Sequence, residues 1–176
     1  MTALNIVTSC LCIVTIAVIF IFTKWIHKLL SDVEPTEVKV KLFKGGKLPE
    51  FKTECAACAD CRARLDEDVV IPSGKRALIP LGIACGLPEG YEIQVRPRSG
   101  LSSKSIDVTL GTGDADYTGE YKANVVNASG EDFVVHNGDR ICQMAFREVP
   151  RVSFAIVSEL KKTERGDGGF GHTGIN

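Results

Sequence analysis

Tyr121-Lys-Ala-Asn-Val-Val-Asn127, then Ala128-Ser-Gly-Glu-Asp132, then Phe133-Val-Val135 decide what kind of fold this chain makes. Apolar and β-branched residues fill the outer runs. Between them lies a short polar loop with a glycine, the pattern of two strands joined by a hairpin. The same signature recurs on both sides. Downstream, Ile141-Cys-Gln-Met-Ala-Phe146 and Val152-Ser-Phe-Ala-Ile-Val157 read as strands. Upstream, Tyr91-Glu-Ile-Gln-Val-Arg96 and Glu37-Val-Lys-Val-Lys-Leu-Phe43 alternate polar with apolar, as half-buried strands do. Arg76-Ala-Leu-Ile-Pro-Leu-Gly-Ile-Ala84 is apolar almost throughout and predicts a more buried strand. Helical periodicity is scarce after Leu30. Many short strands separated by turns predict an all-β fold, a distorted barrel or double-sheet jelly roll.

The ends differ from this body. Met1 to Thr23 carries no charged side chain, and Leu4 to Phe22 is almost wholly apolar. In helical form such a run reaches about 30 Å, which predicts a transmembrane anchor over residues 1–30. Trp25, Lys24, His27 and Lys28 follow it, so the positive-inside rule places the rest of the chain in the cytoplasm. A buried or self-associating apolar helix is the alternative. Residues 31–36 read as a linker, 37–160 as the β domain, and 161–176 as a flexible glycine-rich flap. Glycine packs poorly and loses much entropy on ordering, so such a tail suits a cover that orders over a ligand.

Net charge is −1, with 21 basic and 22 acidic side chains among 176 residues. There is no global basic field, so direct nucleic-acid binding is not expected and an anion needs a local site. Seven cysteines, an odd number at irregular spacing, argue against a disulfide framework. Cys55, Cys58 and Cys61 lack a second close pair, which makes small apolar packing a better reading than zinc.

Three segments carry chemistry. Arg96-Pro-Arg-Ser-Gly-Leu101 offers Arg98 and Ser99 at a turn, a guanidinium and a hydroxyl suited to phosphate oxygens. Gly111-Thr-Gly-Asp-Ala-Asp-Tyr-Thr-Gly-Glu120 reads as a tight hairpin presenting Asp114, Asp116 and Tyr117. A carboxylate there can activate water. A calcium loop is excluded, because the position eleven beyond Asp114 is Val125. Asn137-Gly-Asp-Arg-Ile-Cys-Gln-Met144 is a turn entering a strand. Arg140 and Gln143 lie three apart in it, which predicts opposite faces.

Taken in order, these segments resemble the homotrimeric dUTPase family over roughly Glu37 to Gly174. Five motifs carry the resemblance: Ala57-Cys-Ala-Asp-Cys-Arg-Ala63, Pro97-Arg-Ser-Gly-Leu101, Gly113-Asp-Ala-Asp-Tyr-Thr-Gly-Glu120, Gly138-Asp-Arg-Ile-Cys-Gln143 and Arg165-Gly-Asp-Gly-Gly-Phe-Gly-His-Thr-Gly174. The resemblance implies a jelly-roll homotrimer with three shared active sites, acting on dUTP with Mg²⁺ to give dUMP and pyrophosphate. It implies that Asp114 is the general base toward the α-phosphate and that Tyr117 lies under the deoxyribose. Arg98, Ser99 and Gln143 would hold the triphosphate, with Gly100, Gly113 and Gly171 also lining the substrate. Asp60 would be the outer-shell partner of a magnesium-bound water. Arg165 and Thr173 would close on the γ-phosphate, and Phe170 would stack on uracil.

The chain departs from the family pattern at four places. The stretch between Leu110 and Gly111 is short, and the family's uracil-reading asparagine has no clear counterpart. Gly113 stands where an isoleucine is usual, and Cys58 where a glycine is usual. The apolar N-terminus lies outside the common core. Two other readings share the fold: a non-catalytic regulatory trimer that binds protein partners, and a dCTP deaminase-related enzyme. The presence of Asp114 and of the tail motif favours the hydrolase.

Overall fold

The computed structural model describes residues 15–26, 35–169 and 172. Short antiparallel strands make up the body of the chain. They are β1 (Lys39–Leu42), β2 (Ala59–Arg62), β3 (Val69–Ile71), β4 (Arg76–Pro80), β5 (Ile83–Gly86), β6 (Tyr91–Arg96), β7 (Ile106–Val108), β8 (Gly111–Gly113), β9 (Lys122–Asn127), β10 (Phe133–Val135) and β11 (Arg140–Glu148). Helix appears in α1, residues 15–26, and in the single turn α2 (Ser99–Ser102). The domain is therefore mostly β, as its strand patterns predict.

Among the described residues four sheets form, in the orders β1-β5, β10-β3, β2-β11-β6-β8 and β4-β9-β7. Each inner face joins one apolar cluster, because period-two alternation sends every second side chain inward. On β6, Ile93 and Val95 are buried; on β9, Ala123 and Val125 are; on β11, Ile141, Cys142, Met144 and Ala145 are. Ile79, Leu81, Ile83 and Ile71 complete the centre of the cluster.

The opening segment folds differently from the expected hairpin. β9 pairs with β4 and β7, while β10 pairs with β3. Asn127, fully buried, explains the divergence. Its amide nitrogen donates to the carbonyls of Ile71 and Glu131, each at 2.8 Å, and its oxygen accepts from the Ser129 amide at 3.0 Å. One satisfied side chain thus clasps the loop and sends the chain to another sheet.

The expected strand Arg76–Ala84 breaks in two. Gly82 adopts φ of +68° between β4 and β5, a conformation open to glycine and costly for other residues. Its amide donates to the Glu120 carboxylate at 3.1 Å. The expected strand Val152–Val157 does not form. Strand formation needs an edge to pair with, and among the described residues no strand pairs there. Val152, Phe154, Ile156, Val157 and Leu160 are left exposed, Phe154 and Ile156 almost entirely.

The transmembrane span expected over Leu4 to Phe22 is not supported. Among the described residues no helix is long and apolar enough to cross a membrane. Residues 4–14 lie outside the described part. Ile16, Val18, Ile19, Phe20, Ile21, Phe22 and Trp25 are exposed on α1.

Candidate active site

Strand register brings the first group together. Across the four-stranded sheet, Asp60 on β2 stands opposite Gln143 on β11, which stands opposite Arg96 on β6. Directly opposed residues share a face, so three distant motifs meet in one row. Asp60 is mostly buried and accepts from two guanidiniums. Arg98 reaches it with Nε at 3.1 Å and Nη2 at 3.4 Å, and Arg140 with Nη1 at 3.0 Å. Arg98 also donates to the Arg140 carbonyl at 2.8 Å. Gln143 donates to the Pro97 carbonyl at 2.8 Å, tying β11 to the turn that carries Arg98.

Arg140 corrects an expectation. Spacing alone places it on the face opposite Gln143. The register of β11 on β2 shifts between Arg140 and Cys142. An irregularity of this kind re-aims a side chain, and Arg140 turns to Asp60. Arg62, Arg98, Arg140, Leu101, Phe133 and Gly138 line a cavity of about 380 Å³ beside this cluster. Ser99 and Gly100 open α2 and are exposed, with nothing within 4 Å of a Cβ built at Gly100. The cluster offers paired guanidiniums and open backbone, which suits an anion with several oxygens.

The second group lies on β8 and the turn after it. β8 pairs with β6, so Gly111 to Gly113 hang on the same sheet. Asp114 follows at once, exposed, and its carbonyl accepts from the Tyr117 amide at 3.1 Å to close a turn. Asp114, Tyr117, Gly111, Thr112, Gly113 and Tyr121 line a cavity of about 320 Å³. The Tyr117 ring is 45 % exposed, a surface for a ring to cover, while its hydroxyl donates to the Glu120 carbonyl at 3.0 Å. Tyr121 meets Tyr117 edge to face at 5.3 Å.

Gly113 has a specific cause. A Cβ at this position would stand 2.4 Å from the Tyr121 hydroxyl and 2.5 Å from its Cε1. The Tyr121 ring fills the space a larger side chain would need. Burial first, then Cys85, Tyr117 and Asp114, pushes the Tyr121 phenol up to about 12. Tyr121 is the cavity residue that sequence reasoning passed over, and Arg140 the one it set on the opposite face. The signal for Tyr121 was the glycine at 113, which implies a bulky neighbour.

The two cavities share no lining residue. Arg98 lines one, with Asp60 paired to it and Gln143 tied to the turn that carries it; Asp114, Gly113 and Tyr117 line the other. Arg165 joins neither: it is exposed and donates to the Gly168 carbonyl within its own turn at 2.9 Å. Phe170, Gly171 and Thr173 lie outside the described residues.

Among the described residues no three His, Cys, Asp or Glu side chains gather closely enough to hold a metal. Asp60 already accepts three hydrogen bonds, which leaves it one lone pair on Oδ1. That suits a hydrogen bond to a metal-bound water rather than direct ligation, provided the ion brings its other oxygens with it. Cys61 is buried and faces Cys142 across the β2–β11 ladder. The hydrogen bond with Cys142, then burial, pushes its thiol far above the ordinary range, so it stays protonated and inert.

Comparison with known proteins points to one family. A family model described as dUTPase matches residues 44–174. The deoxyuridine 5'-triphosphate nucleotidohydrolase of Finegoldia magna is 47% identical over 143 residues, covering 78% of this chain and 99% of its own. That of Chlamydia trachomatis is 49% identical over 138 residues, covering 76% and 95%. Among solved structures, Staphylococcus bacteriophage 80alpha dUTPase with dUPNHPP matches at a TM-score of 0.71 and 26% identity, over 80% of this chain and 100% of that one.

Proposed function

The chain belongs to the dUTPase family and is a dUTP diphosphatase, and from that premise we propose how its residues divide the work. Arg98, Arg140, Ser99 and Gln143 bind the triphosphate. Asp114 accepts a proton from the water that attacks the α-phosphate, and pyrophosphate leaves as dUMP forms. Tyr117 carries the deoxyribose against its ring. Arg165, Thr173 and Phe170 close the tail over the γ-phosphate and the base, with Gly171 giving the backbone room, and so exclude bulk water.

The division of the site carries this reading. A cluster of arginines and a carboxylate with a ring line separate cavities of one chain. Each is half of what hydrolysis needs. In a homotrimer of distorted jelly rolls, one protomer's cluster would face its partner's Asp114, and three equal sites would result. The exposed run from Val152 to Leu160 supports such an assembly, because it offers an unpaired apolar strand sequence to a neighbouring edge.

Mg²⁺ bound to the triphosphate would neutralise charge on its oxygens, with Asp60 holding one water of its shell. Three phosphates converge more charge than Arg98, Arg140 and Arg165 would cancel, since the first two already share the Asp60 carboxylate, which is why this chain's own cations need that help.

Asp114→Asn tests the assignment. The amide keeps the shape and cannot take a proton, so turnover should fall by roughly 10² to 10⁴ while dUpNHpp still binds. Turnover near that of the unaltered chain would sink the role given to Asp114.

A further inference from the structure

Tyr121 contributes a buried hydroxyl that the proposed mechanism does not use. The residue is 4% exposed, and its Oη is the one buried side-chain polar atom among the described residues with no hydrogen-bond partner. Burying a hydroxyl unpaired is costly, so a fold that keeps one usually has a use for it. The location narrows the use. Tyr121 lines the Asp114 cavity, and its hydroxyl stands against Gly113, within 2.4 Å of where a Cβ would be. Its ring meets the edge of Tyr117 at 5.3 Å. In the reading above, Tyr117 carries the sugar, so the ground along Gly111 to Gly113 falls to the base. The departures of this chain lie at the same spot: a short stretch before Gly111, no counterpart of the reading asparagine, and glycine at 113.

We infer that Tyr121 is a specificity-determining residue whose hydroxyl hydrogen-bonds the pyrimidine base of the bound deoxynucleotide. Its phenol takes the space left by Gly113 and holds its hydroxyl beside that glycine, so a base that seats against Gly113 would come next to it. The nucleotide supplies the partner that the fold withholds. This rests on the proposed hydrolysis of dUTP at the Asp114 cavity.

Tyr121→Phe removes the hydroxyl and keeps the ring. With no internal partner to lose, the unfolding midpoint of the nucleotide-free full-length chain should stay or rise. Binding of dUMP, measured by titration calorimetry, should weaken roughly five- to tenfold. KM for dUTP should rise by a similar factor while kcat changes little. Binding of 2-deoxyribose 5-phosphate, which has no base, should be unaltered, as read by the chemical shifts of its phosphorus. Unchanged dUMP affinity overturns the inference. So does an equal loss for 2-deoxyribose 5-phosphate, which would place the hydroxyl on the sugar. A lower midpoint without nucleotide also overturns it, because the hydroxyl would then serve the fold. An unaltered chain that neither hydrolyses dUTP nor binds dUMP refutes the underlying reading, and with it this one.

Discussion

Gly113→Ala adds one methyl group, and the structure sets what that should cost. The new Cβ would lie 2.4 Å from the Tyr121 Oη, 2.5 Å from Cε1 and 2.8 Å from Cζ, where ordinary contacts begin near 3.4 Å. The ring must therefore retreat by about 1 Å, a shift that close-packed interiors resist. Tyr121 is 4% exposed, so it has little free space to enter. Overpacking of this kind costs about 1–3 kcal/mol. Against it stands a gain of about 0.4–1 kcal/mol from a stiffer unfolded chain. The net expectation is a loss of about 1–2 kcal/mol. Tyr121→Val removes the obstructing ring, at its own cost of about 2–4 kcal/mol for the lost packing. In that background Gly113→Ala should be neutral or stabilising. Urea unfolding of the four chains, at one protein concentration and with equal m values, closes the cycle. A coupling of about 1–3 kcal/mol is expected. If the alanine costs the same with and without the tyrosine ring, the steric account of Gly113 is wrong.

Deleting Arg165 to Asn176 should leave the fold intact, because Arg165 is exposed and bonds only within its own turn; kcat/KM should fall on the order of 100-fold, and either unfolding or full activity would contradict the flap. Stability should decline as pH rises from about 10 to about 12, because the Tyr121 phenol is held protonated in the fold up to about 12 and the unfolded phenol ionises near 10. The sign follows from proton count: in that window the folded chain binds more protons than the unfolded one, so raising pH favours unfolding. Tyr121→Phe should flatten this part of the curve, which denaturant midpoints taken across the window would reveal. Removing residues 1–34 should preserve both fold and dUTP hydrolysis, since the core cluster and the partly buried residues around it begin at Val38; loss of either on truncation would give α1 a role in the domain.

Local alternation was readable wherever a strand's own neighbours decide its burial. Tyr91–Arg96 is observed as written, and β1 and β11 lie within or around their expected runs. Distant partners were not readable. Asn127 looked like an ordinary strand residue, yet its amide redirects the chain through two remote carbonyls. Val152–Val157 has the composition of a strand and no edge of its own to join. The site shows the same division. Asp60, Arg98, Asp114, Tyr117 and Gln143 were legible as motif residues, and the structure adds which of them meet. Arg140 escaped because a register irregularity undoes the simple two-residue period. Tyr121 escaped because its importance lies in what another position lacks.

On the proposed division of roles, the clasp of Asp60 by Arg98 and Arg140 would bear on turnover. An arriving anion does not meet two bare cations. It meets cations already engaged by a resident carboxylate, and must outcompete it. A ligand with one phosphate offers little to tip that exchange, whereas a triphosphate can engage both guanidiniums at once. If Arg98 and Arg140 hold the triphosphate as proposed, the resting site would be biased against keeping the monophosphate product. An internal counter-ion that lowers the gross attraction for every phosphate can in this way quicken release of the smaller product more than it weakens capture of the larger substrate.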